Sequence, residues 1–235
     1  MRNPLLVLLR DIRGIFLSPG RTLGSLMEER RWVALLLLLI ALFALLNYIT
    51  YPIQRGKMAE QALLTGYLSD DQVNSYLNTT MFSRIAFCAF SAVKLFVFIS
   101  LGAMFLYLFF GIGGAEGFYS NYFAITVNAS FIDLFFQEFF IFLTMMFSHD
   151  FLLYTRPFTL LFNPVPKSFL SLFFIRIDIF SIWYIVAVAL GISVFSTMGK
   201  KRALLIGFIY LLFKVTIQAA MGYIVVQVMA RVTGN

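Results

Sequence analysis

The stretch WVALLLLLIALFALLNYI, Trp32 to Ile49, runs for eighteen residues without a charge. A helix rises about 1.5 Å per residue and the hydrocarbon core of a bilayer is about 30 Å thick, so roughly twenty apolar residues cross it. This segment is a short but sufficient crossing. Four more apolar stretches follow, at about 85–110, 122–147, 177–198 and 203–229, and no stretch is left that could fold as a soluble domain. The expected fold is all-α: a polytopic transmembrane bundle of five helices preceded by short amphipathic interfacial helices. Two regions are expected, an N-terminal cytoplasmic segment over 1–31 and a membrane domain over 32–235.

Composition agrees. The chain has 235 residues, 61% hydrophobic and only 12% charged, where a soluble domain carries about 25% charge. The net charge of +7 does not point to nucleic acid. The basic residues flank apolar spans, where they set topology and touch anionic headgroups. Arg10, Arg13, Lys200, Lys201 and Arg202 are the candidate lipid-surface residues. Cys88 is the one cysteine, so neither an intrachain disulfide nor a cysteine metal site is available. No zinc-protease, nucleophile-elbow, P-loop or dinucleotide motif occurs. Neither an enzyme activity nor a cofactor or metal is expected. His149-Asp150 is an isolated pair.

The N-terminal run PLLVLLRDIRGIFL is broken by Arg10, Asp11 and Arg13 and lacks a small-residue cleavage site, so it is not a cleavable signal. Asn3 and Pro4 can open a helix. Leu5, Leu9, Ile12 and Phe16 then fall on one stripe suited to the membrane interface. Ser18-Pro19 repeats the cap-and-proline signal and opens a second short helix.

Between the first two spans, Tyr51 to Arg84 reads as a polar loop with a capping-box pattern at Ser69-Asp70-Asp71-Gln72. Asn78-Thr79-Thr80 within it is a glycosylation sequon. Gly111 to Asn121 reads as a glycine-rich turn. Ser148 to Arg176, with Pro157, Pro164 and Pro166, reads as an ordered loop or shallow re-entrant segment. With the N-terminus inside, nine basic residues collect on the cytoplasmic side against seven outside. The densest cluster flanks the first span, which usually governs orientation. The expected arrangement is N-terminus cytoplasmic and C-terminus outside.

Ionisable residues lie inside three spans: Lys94, Asp133 and Lys214, with Glu138 beyond Asp133. An unpaired charge at the bilayer centre costs at least about 2.5–3.5 kcal/mol, so these groups should face the bundle and pair. At about 100° per residue, Thr126, Ser130, Asp133, Gln137 and Thr144 share one face of the third span. Gly207, Lys214, Gln218 and Gly222 share one face of the fifth. Ala187-x-x-x-Gly191 offers a close-packing pattern in the fourth. Lys94, Asp133, Glu138, Lys214 and Gln218 form the candidate intramembrane cluster. Three roles stay open for its charges: structural pairs, an ion or substrate path, or lysine stems that snorkel outward.

Four stretches resemble the Yip domain, named for Ypt-interacting proteins. FLSPGRTLGSLMEERRW, residues 16–32, resembles its proline-containing pre-span segment. Gly113 to Phe118 resembles its glycine pair, and AITVNASF its small, polar helix start. IDIFSIWYIVAVALGISVFS, from Ile177, resembles its acidic residue, tryptophan and glycine signature: Asp178, Trp183 and Gly191. The family-like positions are thus Pro19, Gly113, Gly114, Asp178, Trp183 and Gly191. The resemblance implies five transmembrane helices and a cytoplasmic N-terminus. Eukaryotic members act in vesicle traffic and bind small Rab-type GTPases through a long cytosolic region. About thirty residues precede the first span here, which looks prokaryotic and speaks against GTPase binding. The expected role is a non-enzymatic scaffold or accessory subunit of a larger membrane complex, partnered by lipid and by another membrane protein or a second copy. The alternatives are a small transporter or ion path, and a membrane-shaping or trafficking factor. The expected location is a bacterial cytoplasmic membrane.

Overall fold

The computed structural model describes residues 4–28, 32–64, 80–136 and 168–233, with isolated positions 77, 139, 142 and 143. Every described element is a helix. In chain order these are α1 (Pro4–Leu17), α2 (Pro19–Glu28), α3 (Trp32–Leu64), α4 (Met81–Ile112), α5 (Tyr119–Ser130, continuing as a π-helical turn over Phe131–Phe136), α6 (Phe169–Arg176), α7 (Ile179–Phe195) and α8 (Lys200–Thr233).

Within α3, α4 and α8, the segments Trp32–Gly56, Met81–Ile112 and Lys200–Ile224 are long and apolar enough to cross a bilayer. α7 is apolar but has 17 residues, about 25 Å at the helical rise. The chain is apolar outside as well as inside. α4 exposes Phe82, Phe90, Val93 and Phe98, and α8 exposes Leu205, Phe208, Met221 and Ile224. Such faces are stable against hydrocarbon and not against water.

The bundle closes around Leu39, Ile99, Leu106, Tyr122, Ile125, Val188, Ile192 and Val215. α3 packs on α4 and α5, α7 packs on α2, α5 and α8, and α6 packs on α8. α5 and α7 run antiparallel: Tyr122 meets the ring of Phe195 at one end, and Asp133 meets Ser181 at the other. Small residues let the backbones approach. A methyl placed on Gly207 would stand 3.0 Å from Ile185 and 3.3 Å from Ala189.

Several sequence-based boundaries move. α3 does not end at Ile49 but continues through Pro52 to Leu64. Proline removes one backbone donor, but the residues after it, IQRGKMAEQALL, are mostly strong helix formers. Thr50 Oγ1 donates to Leu46 O at 2.8 Å, and Gln54 donates to Thr50 Oγ1 at 3.0 Å, so polar side chains support the proline turn. Residues 169–176, expected in an ordered loop or shallow re-entrant segment, form α6, opened by a capping box between Ser168 and Ser171. The sequences around 69–72, 78–79 and 149–150 lie outside the described residues, as do Gln137, Glu138 and Thr144.

The third span is not a uniform α-helix. Thr126 Oγ1, Asn128 Nδ2 and Ser130 Oγ donate to the carbonyls four residues back at 2.7, 2.7 and 2.6 Å. Side chains that bond these carbonyls loosen the helical ladder, and the π turn begins one residue after Ser130.

The glycine pair after α4 has a conformational cause. Gly114 has φ +82°, a left-handed geometry that costs side-chain-bearing residues about 1–3 kcal/mol. Arg202 Nη2 lies 3.4 Å from where its Cβ would be, and a methyl on Gly113 would strike Ile206. Gly114→Ala should therefore lower thermal stability by about 1–3 kcal/mol. Gly111→Ala, helical and facing open space, should leave stability unchanged or raise it. Melting curves of the two variants in detergent check the contrast.

Candidate functional site

The π turn carries Asp133 into the bundle between α7 and α8. Its Oδ2 accepts from Lys214 Nζ at 2.8 Å. Its Oδ1 accepts from Ser181 Oγ at 3.0 Å. Lys214 Nζ also stands 5.0 Å from the ring centroid of Tyr184, a cation–π distance. The carboxylate side chain is 9% exposed and the lysine 24%. Charge, hydroxyl and ring therefore close one junction of three helices.

Around this junction lies a cavity of about 270 Å³. α5 supplies Thr126, Ser130 and Asp133, the polar face that helical spacing grouped together. The hydroxyls of Thr126 and Ser130 are turned back onto their own helix. α8 supplies Lys214 and Gln218, and its Gly222 packs beside Leu172 and Arg176 of α6. α4 supplies Lys94, which is exposed and has its Nζ 5.8 Å from the Phe98 ring centroid. Lys94 makes no ion pair among the described residues. The structure thus brings together four members of the expected cluster, Lys94, Asp133, Lys214 and Gln218. Glu138 lies outside the described residues.

Asp178, Ser181, Tyr184 and Arg176 complete the cavity wall. Asp178 caps α7, its Oδ1 accepting from Ser181 N at 2.7 Å. Ser181, Tyr184 and Arg176 were not expected at this site. Their signal was a polar residue at every third position, Asp178, Ser181 and Tyr184, in an otherwise apolar helix. That spacing puts all three on one side.

The other family-like positions lie elsewhere. Gly191 meets α2: a methyl there would stand 2.8 Å from Leu23 Cδ1. Pro19 is buried at the start of α2. Trp183 faces outward. Arg13, Lys200, Lys201 and Arg202 are exposed, and Arg10 lies 3.8 Å from buried Asp11. The described residues include no group of three or more metal-ligating side chains.

No curated protein and no solved structure matches the chain. The Yip1 domain family matches residues 13–222, nearly the whole sequence, a range within which Pro19, both turn glycines, Asp178, Trp183 and Gly191 fall. With its apolar crossings, the chain is an integral membrane protein belonging to the Yip1 domain family.

Proposed function

We propose that this protein is a non-enzymatic scaffold or accessory subunit of a larger membrane complex, export machinery included. The observation that carries the reading is the closed junction of Asp133, Lys214 and Ser181. The carboxylate spends both oxygens on internal donors, as a structural lock does. The broad apolar faces of α4 and α8 leave room for lipid and for another membrane protein or a second copy. Mild-detergent purification followed by mass spectrometry tests this. A scaffold brings down a larger membrane partner in stoichiometric amount, and a protein that purifies alone and transports solute alone overturns the reading.

A second reading has its own support. Lys94, Asp133 and Lys214 share one cavity, and intramembrane charge often lines a pathway. On that reading the protein reconstituted alone in liposomes moves an ion or solute, and Asp133→Asn stops it.

The proposed topology has five crossings, a cytoplasmic N-terminus and an external C-terminus in a bacterial cytoplasmic membrane. In a Cys88→Ser background, cysteines at Ser69 and Thr159 should react with an impermeant thiol reagent in intact cells. A cysteine at Gly199, which is exposed with open space around it, should react only after lysis. The opposite pattern reverses the topology. The background is mild, because Cys88 is half-buried and makes one weak bond to Ala44 O at 3.5 Å.

A further inference from the structure

We propose that the cavity binds an oxyanion, a phosphate or carboxylate group, between Lys94 of α4 and Arg176 of α6. This goes beyond the scaffold reading and does not rest on it.

The argument begins with charge. Three cations line the cavity, Lys94, Arg176 and Lys214, against two carboxylates, Asp133 and Asp178. Lys214 is committed to Asp133 at 2.8 Å, and Asp178 is committed to the α7 cap. Three cations against two carboxylates leave one surplus positive charge, on the side of Lys94 and Arg176. Neither makes an ion pair among the described residues. Arg176 Nε is buried and meets no acceptor there. A buried donor without a partner costs free energy that a bound acceptor recovers. A guanidinium is also shaped to take two oxygens of one group, whereas a lysine adds a point charge.

Depth comes next. Arg176 Nη2 lies 3.9 Å from where a methyl on Gly222 would stand. Gly222 is two turns beyond Lys214 on α8, about 12 Å along its axis. The cavity therefore reaches from the Asp133–Lys214 junction toward the α6 end of the bundle. That end is opposite the basic turn at Lys200–Arg202. A volume of about 270 Å³ is slightly below the usual range for organic ligands. It suits one phosphate or carboxylate group with a few waters. Phe43, Leu95 and Phe98 on the same wall can accompany the first methylenes of an acyl or glyceryl tail. The oxyanion can thus come from an anionic lipid or from solution.

The full-length protein in phosphatidylcholine nanodiscs separates these sources. In one arm, inorganic phosphate replaces chloride at constant ionic strength. In the other, phosphatidylglycerol replaces phosphatidylcholine in steps, with native mass spectrometry counting retained lipid. The expected result is a rise in melting temperature in at least one arm. Stabilisation by phosphatidylglycerol alone identifies a headgroup, and stabilisation by phosphate identifies a free anion. Lys94→Gln and Arg176→Gln should each shift the midpoint at least about tenfold, as expected for losing a hydrogen bond to a charged group. Arg13→Gln, exposed on α1 and one of the candidate lipid-surface residues, gauges general surface attraction and should shift the midpoint by less than either cavity variant. Should Arg176→Gln not fold, Arg176→Lys and the exposed Lys94→Gln carry the test. No stabilisation in either arm overturns the proposal. So does stabilisation that Lys94→Gln and the Arg176 variant leave intact.

Discussion

Asp133→Ala should lower the stability of the purified protein by about 3–5 kcal/mol, the loss seen when one member of a buried ion pair is removed. The substitution strands Lys214 and deprives Ser181 Oγ of its acceptor. Removing the stranded charge as well, in Asp133→Ala/Lys214→Met, should recover much of the loss. Buried pairs replaced by apolar residues are often neutral. Lys94→Met in place of Lys214→Met should give no such recovery, because Lys94 makes no ion pair among the described residues. Ser181→Ala removes one hydrogen bond to a charged group and should cost about 1.5–3 kcal/mol. Contacts inside a bilayer can be worth less than their soluble counterparts, so the order of the four melting temperatures matters more than their absolute values. A wild-type melting curve for Asp133→Ala, or better rescue by Lys94→Met than by Lys214→Met, would refute the lock.

The Asp133–Lys214 pair shows what a membrane sequence makes legible. Charge inside an apolar span is costly enough that its presence demands a partner, so the candidates could be named from depth alone. Choosing between Lys94 and Lys214 could not be done that way. The choice depends on helix rotation, and the π turn at Phe131–Phe136 resets the rotation just where Asp133 stands. Serine and tyrosine carry no comparable penalty, so Ser181 and Tyr184 gave only their spacing.

Element ends were harder for a related reason. The loss of apolar character after Ile49 suggests the end of the first span, while the segment apolar enough to cross runs to Gly56 and the helix itself continues past Pro52 on strong propensity. The N-terminal helices were read from periodicity as lying on lipid. α1 also packs on the bundle: it buries Ile15 and Asp11 and leaves Leu9 54% exposed. Its inward face shares Ile12 and Phe16 with the periodic stripe and departs from it at Leu9. Packing against α2 through Gly14 and Thr22 and of Phe16 on Phe136 decides that face, and neither contact is visible in the periodicity of α1 alone.

The seat of α2 on α7 gives the second large expected effect. Leu23 is fully buried, with its Cδ1 directly over Gly191. Leu23→Ala should cost about 2–5 kcal/mol, the range for a large-to-small change in a packed core. Gly191→Leu forces a side chain into space held by Leu23 Cδ1 at 2.8 Å and Ile125 Cδ1 at 3.2 Å, and should cost about 1–3 kcal/mol or more. The two changes are complementary in volume. Combined, they place a leucine on α7 opposite an alanine on α2, so the double variant should be more stable than the sum of the single losses implies. A coupling of 0.5 kcal/mol or more is the usual mark of residues in contact. Strict additivity would mean that α2 is not seated on Gly191, and that Leu23 meets lipid instead. The same comparison bears on Pro19 and the segment around it. If α2 is a packed part of the bundle, the family match, which begins at residue 13, takes in packed residues of α1 such as Ile15, about twenty residues before the first crossing begins at Trp32.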